Sequence, residues 1–139
     1  MSEENVEIVR ELFDALSRRD SERVLGLYDP EVEIDGRRGV FSEGLLFEGR
    51  VYRGYEGLRA IQRQLVEAFQ SIDTYCDELV DAGREVVSVS HYQARGRESG
   101  IEIEGPRQYG VWTIRDGKIA RVVWYPTRDE AIRAAGLSE

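Results

Sequence analysis

The sequence predicts an α+β fold, in which N-terminal helices are followed by a curved antiparallel sheet and a C-terminal helix. Three observations carry this. Apolar residues repeat at helical spacing in the stretches before Asp73. From Asp73 onward the pattern becomes that of strands separated by turn signals. Asp116-Gly117 is the strongest hairpin signal in the chain, because a type I′ turn needs positive φ at both central residues. Helices gathered first and strands last is the α+β pattern.

The first helix places Ile8, Val9, Leu12, Phe13 and Leu16 on one side and Glu7, Arg10, Glu11, Arg18 and Arg19 on the other. Ser2 is its N-cap candidate, and Glu3 and Glu4 complement its dipole. Asp20 caps a second, short helix carrying Val24, Leu27 and Tyr28, which Asp29-Pro30 ends. Val32 to Asp35 reads as a short strand, and Val40 to Arg53 as a hairpin rather than a helix. Gly54-Tyr55-Glu56-Gly57 opens a third helix with Leu58, Ile61, Leu65 and Phe69 at helical spacing.

Strands follow over Thr74–Ala82 and Glu85–Arg95, joined by the turn signal Ala82-Gly83-Arg84. A third runs from Ile101 to Arg115 with a break near Gly105-Pro106, and Ile119–Tyr125 returns. Thr127-Arg128-Asp129-Glu130 has capping-box spacing for a last helix that Gly136 closes.

The 139 residues fit one domain, 1–139, with no repeat or linker inside it. A chain of this length buries about two-thirds of its unfolded surface, enough for a core without disulfides or metals. No run approaches the roughly 18 apolar residues of a membrane span. Met1-Ser2-Glu3-Glu4 is acidic where a secretory signal is basic and then apolar, so the expected location is cytoplasmic. The 27 acidic and 19 basic residues leave a net charge of -8, which opposes nonspecific attraction to nucleic acid and anionic membranes. Lys118 is the single lysine, an arginine preference that reads as coding bias.

The chemistry is sparse. The chain has no Gly-rich phosphate loop, nucleophile elbow or His-Glu-x-x-His helix. One histidine and one cysteine cannot assemble a His-rich or Cys-rich metal site; a carboxylate-only magnesium site stays open in principle, but no Asp/Glu cluster has recognisable ligand spacing, so no metal and no cofactor is expected. Gly54-x-x-Gly57 reads as a loop-to-helix turn rather than a nucleic-acid clamp. Asp35 either faces a cavity, where apolar walls raise its pKa and make it a general base, or faces water and begins a turn. His91 sits mid-strand on the face of Val87, Val89 and Gln93, either as a proton-transfer group or as a hydrogen-bonded strand residue. Cys76 reads as an inert thiol and Arg95-Gly96-Arg97 as a solvated loop. Trp112 and Trp124, on neighbouring strands, either line a cavity or fill the core.

In order along the chain, five segments resemble the nuclear transport factor 2-like superfamily. They are Ile8-Val9-Arg10-Glu11-Leu12-Phe13, Leu27-Tyr28-Asp29-Pro30-Glu31-Val32, Tyr52-Arg53-Gly54-Tyr55-Glu56-Gly57, Trp112 to Ile119, and Asp129-Glu130-Ala131. Within that superfamily the resemblance is to the SnoaL-like group, which includes ketosteroid isomerases and polyketide cyclases. It implies a cystatin-like α+β barrel whose sheet wraps the N-terminal helices around a conical pocket, and a homodimer packed through the open sheet face. It sets Asp35 at the general-base position of the isomerases and puts Trp112, Val122 and Trp124 at pocket-facing positions. Leu12 stands where the isomerases carry a tyrosine donor, and Gly110 near their second aspartic acid. Each missing donor removes roughly 3–4 kcal/mol of oxyanion stabilisation, so ketosteroid isomerisation is not expected.

Two readings follow. One is a small cofactor-independent isomerase, cyclase, dehydratase or hydrolase acting on a hydrophobic cyclic or polyketide-like molecule. Asp35 is then the base, with His91 or Tyr92 as proton partner. The other is a non-catalytic ligand-binding or dimeric interaction module whose pocket is closed by Phe13, Trp112 and Trp124.

Overall fold

A computed structural model describes residues 2–38 and 50–137. Its elements run α1 (Ser2–Ser17), α2 (Ser21–Leu27), β1 (Tyr28–Asp35), β2 (Val51–Arg53), α3 (Gly54–Ala68), β3 (Phe69–Asp81), β4 (Glu85–Gly96), β5 (Glu102–Glu104), β6 (Gln108–Arg115), β7 (Lys118–Tyr125) and α4 (Arg128–Ala134). The seven strands form one curved, unclosed sheet in the order β2-β1-β7-β6-β4-β3, with β5 paired to β4.

Local chemistry explains most boundaries. Asp20 accepts a hydrogen bond from the Arg23 amide and caps α2. Thr127 does the same for α4 from the Glu130 amide, and Gly136 follows at φ 83°. Asp116 and Gly117 adopt φ 52° and 75°, the two positive values a type I′ hairpin demands. Gly54 opens α3 at φ 64°, and a Cβ there would stand 3.0 Å from the Pro30 carbonyl oxygen. The break at Gly105-Pro106 separates β5 from β6.

Three expectations are corrected. The sheet is mixed, since β1 runs parallel to β7 while its other pairings are antiparallel. The first strand begins at Tyr28 and not at Val32. Pro30 is tolerated in it because the β1–β7 register slips between Tyr28 and Glu33, where no ladder bond calls on its missing N–H. Phe69 starts β3 instead of ending α3, with its ring buried 6.1 Å from that of Tyr92. The hairpin read over Val40 to Arg53 falls mainly on 39–49, outside the described residues; Val51–Arg53 pairs with β1.

Cross-strand rows define two faces. Ile34, Val122, Trp112 and Val86 form one row, packed with Val9, Leu12 and Phe13 of α1 and with α2 and α3. This is the concave face. Asp35, Val123, Val111 and Val87 form the neighbouring row on the opposite face, where Val111 and Val87 pack on Ala131, Ile132 and Ala135 at the C-terminal helix.

Candidate functional site

Of the pocket residues expected from sequence, Phe13, Trp112, Val122 and Trp124 pack together in one core cluster, while Tyr92 lies in a second one. Trp112 is 2% exposed, meets Phe13 edge-on at 6.1 Å and Trp124 edge-on at 5.6 Å. Its indole N–H donates to Ser88 Oγ at 2.8 Å. Val122 is buried beside it. Tyr92 shares the concave face, packs on Phe69 and Gly105, and has its phenol pushed up by burial.

Asp35 is buried, and Arg37 closes over it. The carboxylate accepts from the Arg37 amide at 3.0 Å, from Nε at 3.0 Å and from a terminal guanidinium nitrogen at 2.9 Å. The Arg37 side-chain bond holds its pKa below the ordinary aspartate value, against the opposing effect of burial; the Arg37 amide and the charges of Arg37 and Arg121 add to the lowering. Of the two readings of Asp35, the lowered pKa fits the residue that begins a turn rather than the cavity base with a raised pKa. A carboxylate stabilised as the anion is a weak base.

His91 and Asp35 are not brought together. Asp35 lies in the Val87 row, three strands away, about 14 Å, and His91 is four residues further along β4, about 13 Å. Three strand spacings and four residues thus stand between the two, too far for a shared proton. The partner of His91 is instead Asp77, whose Oδ2 lies 2.7 Å from the imidazole Nδ1, while the ring stacks on Tyr75 at 5.2 Å.

Asp77 reaches this position through a β-bulge. Cys76 pairs with Ser90 and Glu78 with Val89, leaving Asp77 as the extra residue of β3. The slip puts Thr74, Cys76 and Leu79 opposite the concave-face residues Tyr92, Ser90 and Ser88. Tyr75 and Glu78 fall on the other face. Arg128 of α4 reaches Glu78 at 3.0 Å there and lowers its pKa.

Around this edge of β3 lies a hollow of about 430 Å³, walled by Phe13, Asp14 and Ser17 of α1 and by Thr74 to Leu79. Phe13, Tyr75 and Leu79 are its apolar lining residues. Its rim carries Asp14, Asp77 and Glu78 against one cation, Arg10, which is itself paired with Glu7. The volume lies within the range of small-molecule sites. Cys76 opens onto the same hollow; burial around its sulfur raises the thiol pKa.

Arg95 and Arg97 are occupied structurally. Arg95 bonds Gly100 O and Glu102, and Arg97 bonds the carbonyls of Val66 and Phe69. No group of three or more His, Cys, Asp or Glu able to hold a metal ion occurs among the described residues. Sequence reasoning missed Asp77 as the partner of His91. The signal available was arithmetic: extending the register from the Ala82-Gly83-Arg84 turn sets Cys76 opposite His91, and only the bulge exchanges it for Tyr75.

Comparison with known proteins gives one family and many solved structures. The family model described as SnoaL-like domain matches residues 9–122. An NTF2-like protein of unknown function from Burkholderia pseudomallei K96243 superposes with a TM-score of 0.74 at 23% identity, over 94% of this chain and 95% of that one. A Mycobacterium tuberculosis protein in complex with estradiol-17β-hemisuccinate gives 0.69 at 17% identity, over 88% and 92%. A protein of ketosteroid isomerase-like fold from Catenulispora acidiphila DSM 44928, in complex with trimethylamine, gives 0.69 at 13% identity, over 95% and 94%. No curated protein sequence matches the chain.

Proposed function

This chain belongs to the SnoaL-like domain family, and on that premise we propose that it is a cofactor-independent small-molecule pocket protein. Its ligand is a mainly apolar, cyclic molecule, neutral or cationic, seated between α1 and β3. The observation that carries this is the hollow itself, in which Phe13 and Leu79 offer an apolar wall beneath an acidic rim. Glu78 is paired with Arg128 and Asp77 with His91, and together with Asp14 they leave an acidic rim that disfavours an anionic ligand and tolerates an amine. The steroid skeleton bound by one neighbour of the same fold, there as an anionic ester, supports the cyclic apolar part of this class, and the trimethylamine bound by another supports the cationic part.

Trp112 reports on the site through Phe13, which walls the hollow and touches the indole. Titration with estradiol should change tryptophan fluorescence saturably, and the anionic hemisuccinate should bind more weakly. Thr74→Arg places a long side chain into the hollow from a half-buried position and should remove the response while leaving the circular dichroism native. Unchanged binding in that variant would overturn the assignment.

A catalytic form of this reading is not favoured by the geometry: Asp77 lines the rim of the hollow, but its partner His91 stands on the opposite face of the sheet with Tyr75 and is not among the lining residues. Turnover that Asp35→Asn leaves intact and His91→Gln abolishes would establish this form.

The face of β3 and β4 bearing Tyr75 and His91 is also where a second copy would pack in the homodimer. Tyr75 is 44% exposed there. A dimer seated on it would cover the imidazole, so gel filtration at the concentration of the activity assay separates the two roles. A mass near 15.9 kDa counts against the dimer.

A further inference from the structure

A second hollow, of about 510 Å³, lies at the corner where β2 meets α3, well away in sequence from the α1–β3 site. Its walls bring together Arg50, Arg53, Arg59 and Arg63, with Glu56 as the only carboxylate among the described lining residues. This is an unusual concentration of positive charge in a chain of net charge -8. Arg53 is joined to Glu33 at 3.0 Å, and the Arg50 guanidinium lies 4.7 Å above the Tyr52 ring. Arg59 and Arg63 have no ion-pair partner among the described residues.

Arg59 and Arg63 are four residues apart on α3, so their side chains are neighbours on one helix face. Like charges at that spacing repel and weaken the helix unless an anion stands between them. Guanidinium groups present planar forks of N–H donors that match the oxygens of a phosphate in pairs. The hollow is also larger than one inorganic ion needs and falls in the range of organic ligand sites.

We propose that the β2–α3 hollow is an anion site for a small phosphorylated molecule, with Arg59 and Arg63 gripping its phosphoryl group. Arg53 and Arg50 supply the surrounding positive field. Its ligand chemistry is opposite to that of the acidic α1–β3 hollow, so the two sites do not compete for one molecule.

The test is isothermal titration of the full chain with inorganic phosphate, pyrophosphate and glucose 6-phosphate, each at low and at physiological salt. Binding with one-to-one stoichiometry is expected, weakened by salt. Arg59→Ala/Arg63→Ala should lower affinity about tenfold or more, the loss of one charged bidentate contact or better. Arg115→Ala/Arg133→Ala removes the same charge from exposed positions elsewhere and should bind as the parent does. Three results overturn the proposal: no binding, equal loss in both double variants, or tighter binding of a single-stranded oligonucleotide that the Arg59/Arg63 change abolishes. The last would make the surface a nucleic-acid site instead. Estradiol binding is unaffected by any of these outcomes, so this test and that of the α1–β3 site fail separately.

Discussion

His91 Nδ1 lies 2.7 Å from Asp77 Oδ2, a contact that exists because one extra residue in β3 carries the carboxylate to the imidazole. The bond fixes which ring nitrogen holds the proton. Nitrogen NMR of labelled protein above the imidazole titration should show the Nδ1–H tautomer. Asp77→Leu should lose that preference. The same tautomer in both proteins would mean that the contact is not formed in solution.

Ser88 and Ser90 are both fully buried on the concave face, yet their hydroxyls differ in partner. Ser88 Oγ accepts the Trp112 indole N–H, whereas Ser90 Oγ has no hydrogen-bond partner. Ser88→Ala strands a buried donor and should cost about 1–3 kcal/mol. Ser90→Ala removes an already unsatisfied group and should be neutral or stabilising. Urea unfolding of the two variants checks the contrast, and equal destabilisation would contradict it.

The Asp35–Arg37 pair has a defined pH signature. Its folded pKa is depressed, so the stability it contributes is fully present above the unfolded aspartate value of about 3.9 and is lost as pH falls through the lower, folded value. Asp35→Asn should be less stable than the parent by about 1–3 kcal/mol at neutral pH, the scale of a lost charged hydrogen bond. The gap should close at pH well below about 3.9. Unfolding curves at both pH values measure it; a gap that widens in acid would reverse the assigned sign.

The order of elements was legible because helical and strand periodicities are local. Leu58, Ile61 and Leu65 mark α3, and Asp116-Gly117 marks its hairpin through backbone conformation alone. The parallel pairing of β1 with β7 was not legible, since Glu33 and Arg121 are joined only after the intervening chain has folded. The site was less readable than the fold for a related reason. Aspartate before Gly36-Arg37 reads as a turn, and the return of the Arg37 side chain onto Asp35 depends on the three-dimensional course of that turn. Asp77 looks like one more residue of an alternating strand until the bulge shifts the register. Trp112 and Trp124 were placed together by alternation, but whether two rings line a space or fill it is decided by Phe13, on an element a hundred residues earlier in the chain.

The most direct measurement uses Cys76, the single cysteine of the chain and a wall of the α1–β3 hollow. Its raised pKa makes alkylation slow at neutral pH and faster at alkaline pH, where the labelling rate can be followed by mass spectrometry. A ligand seated in the hollow shields the sulfur. Saturating estradiol should therefore slow the labelling of Cys76, and protein already alkylated there should no longer bind. Estradiol binding, seen by tryptophan fluorescence, with an unchanged labelling rate would place the ligand elsewhere and contradict the account.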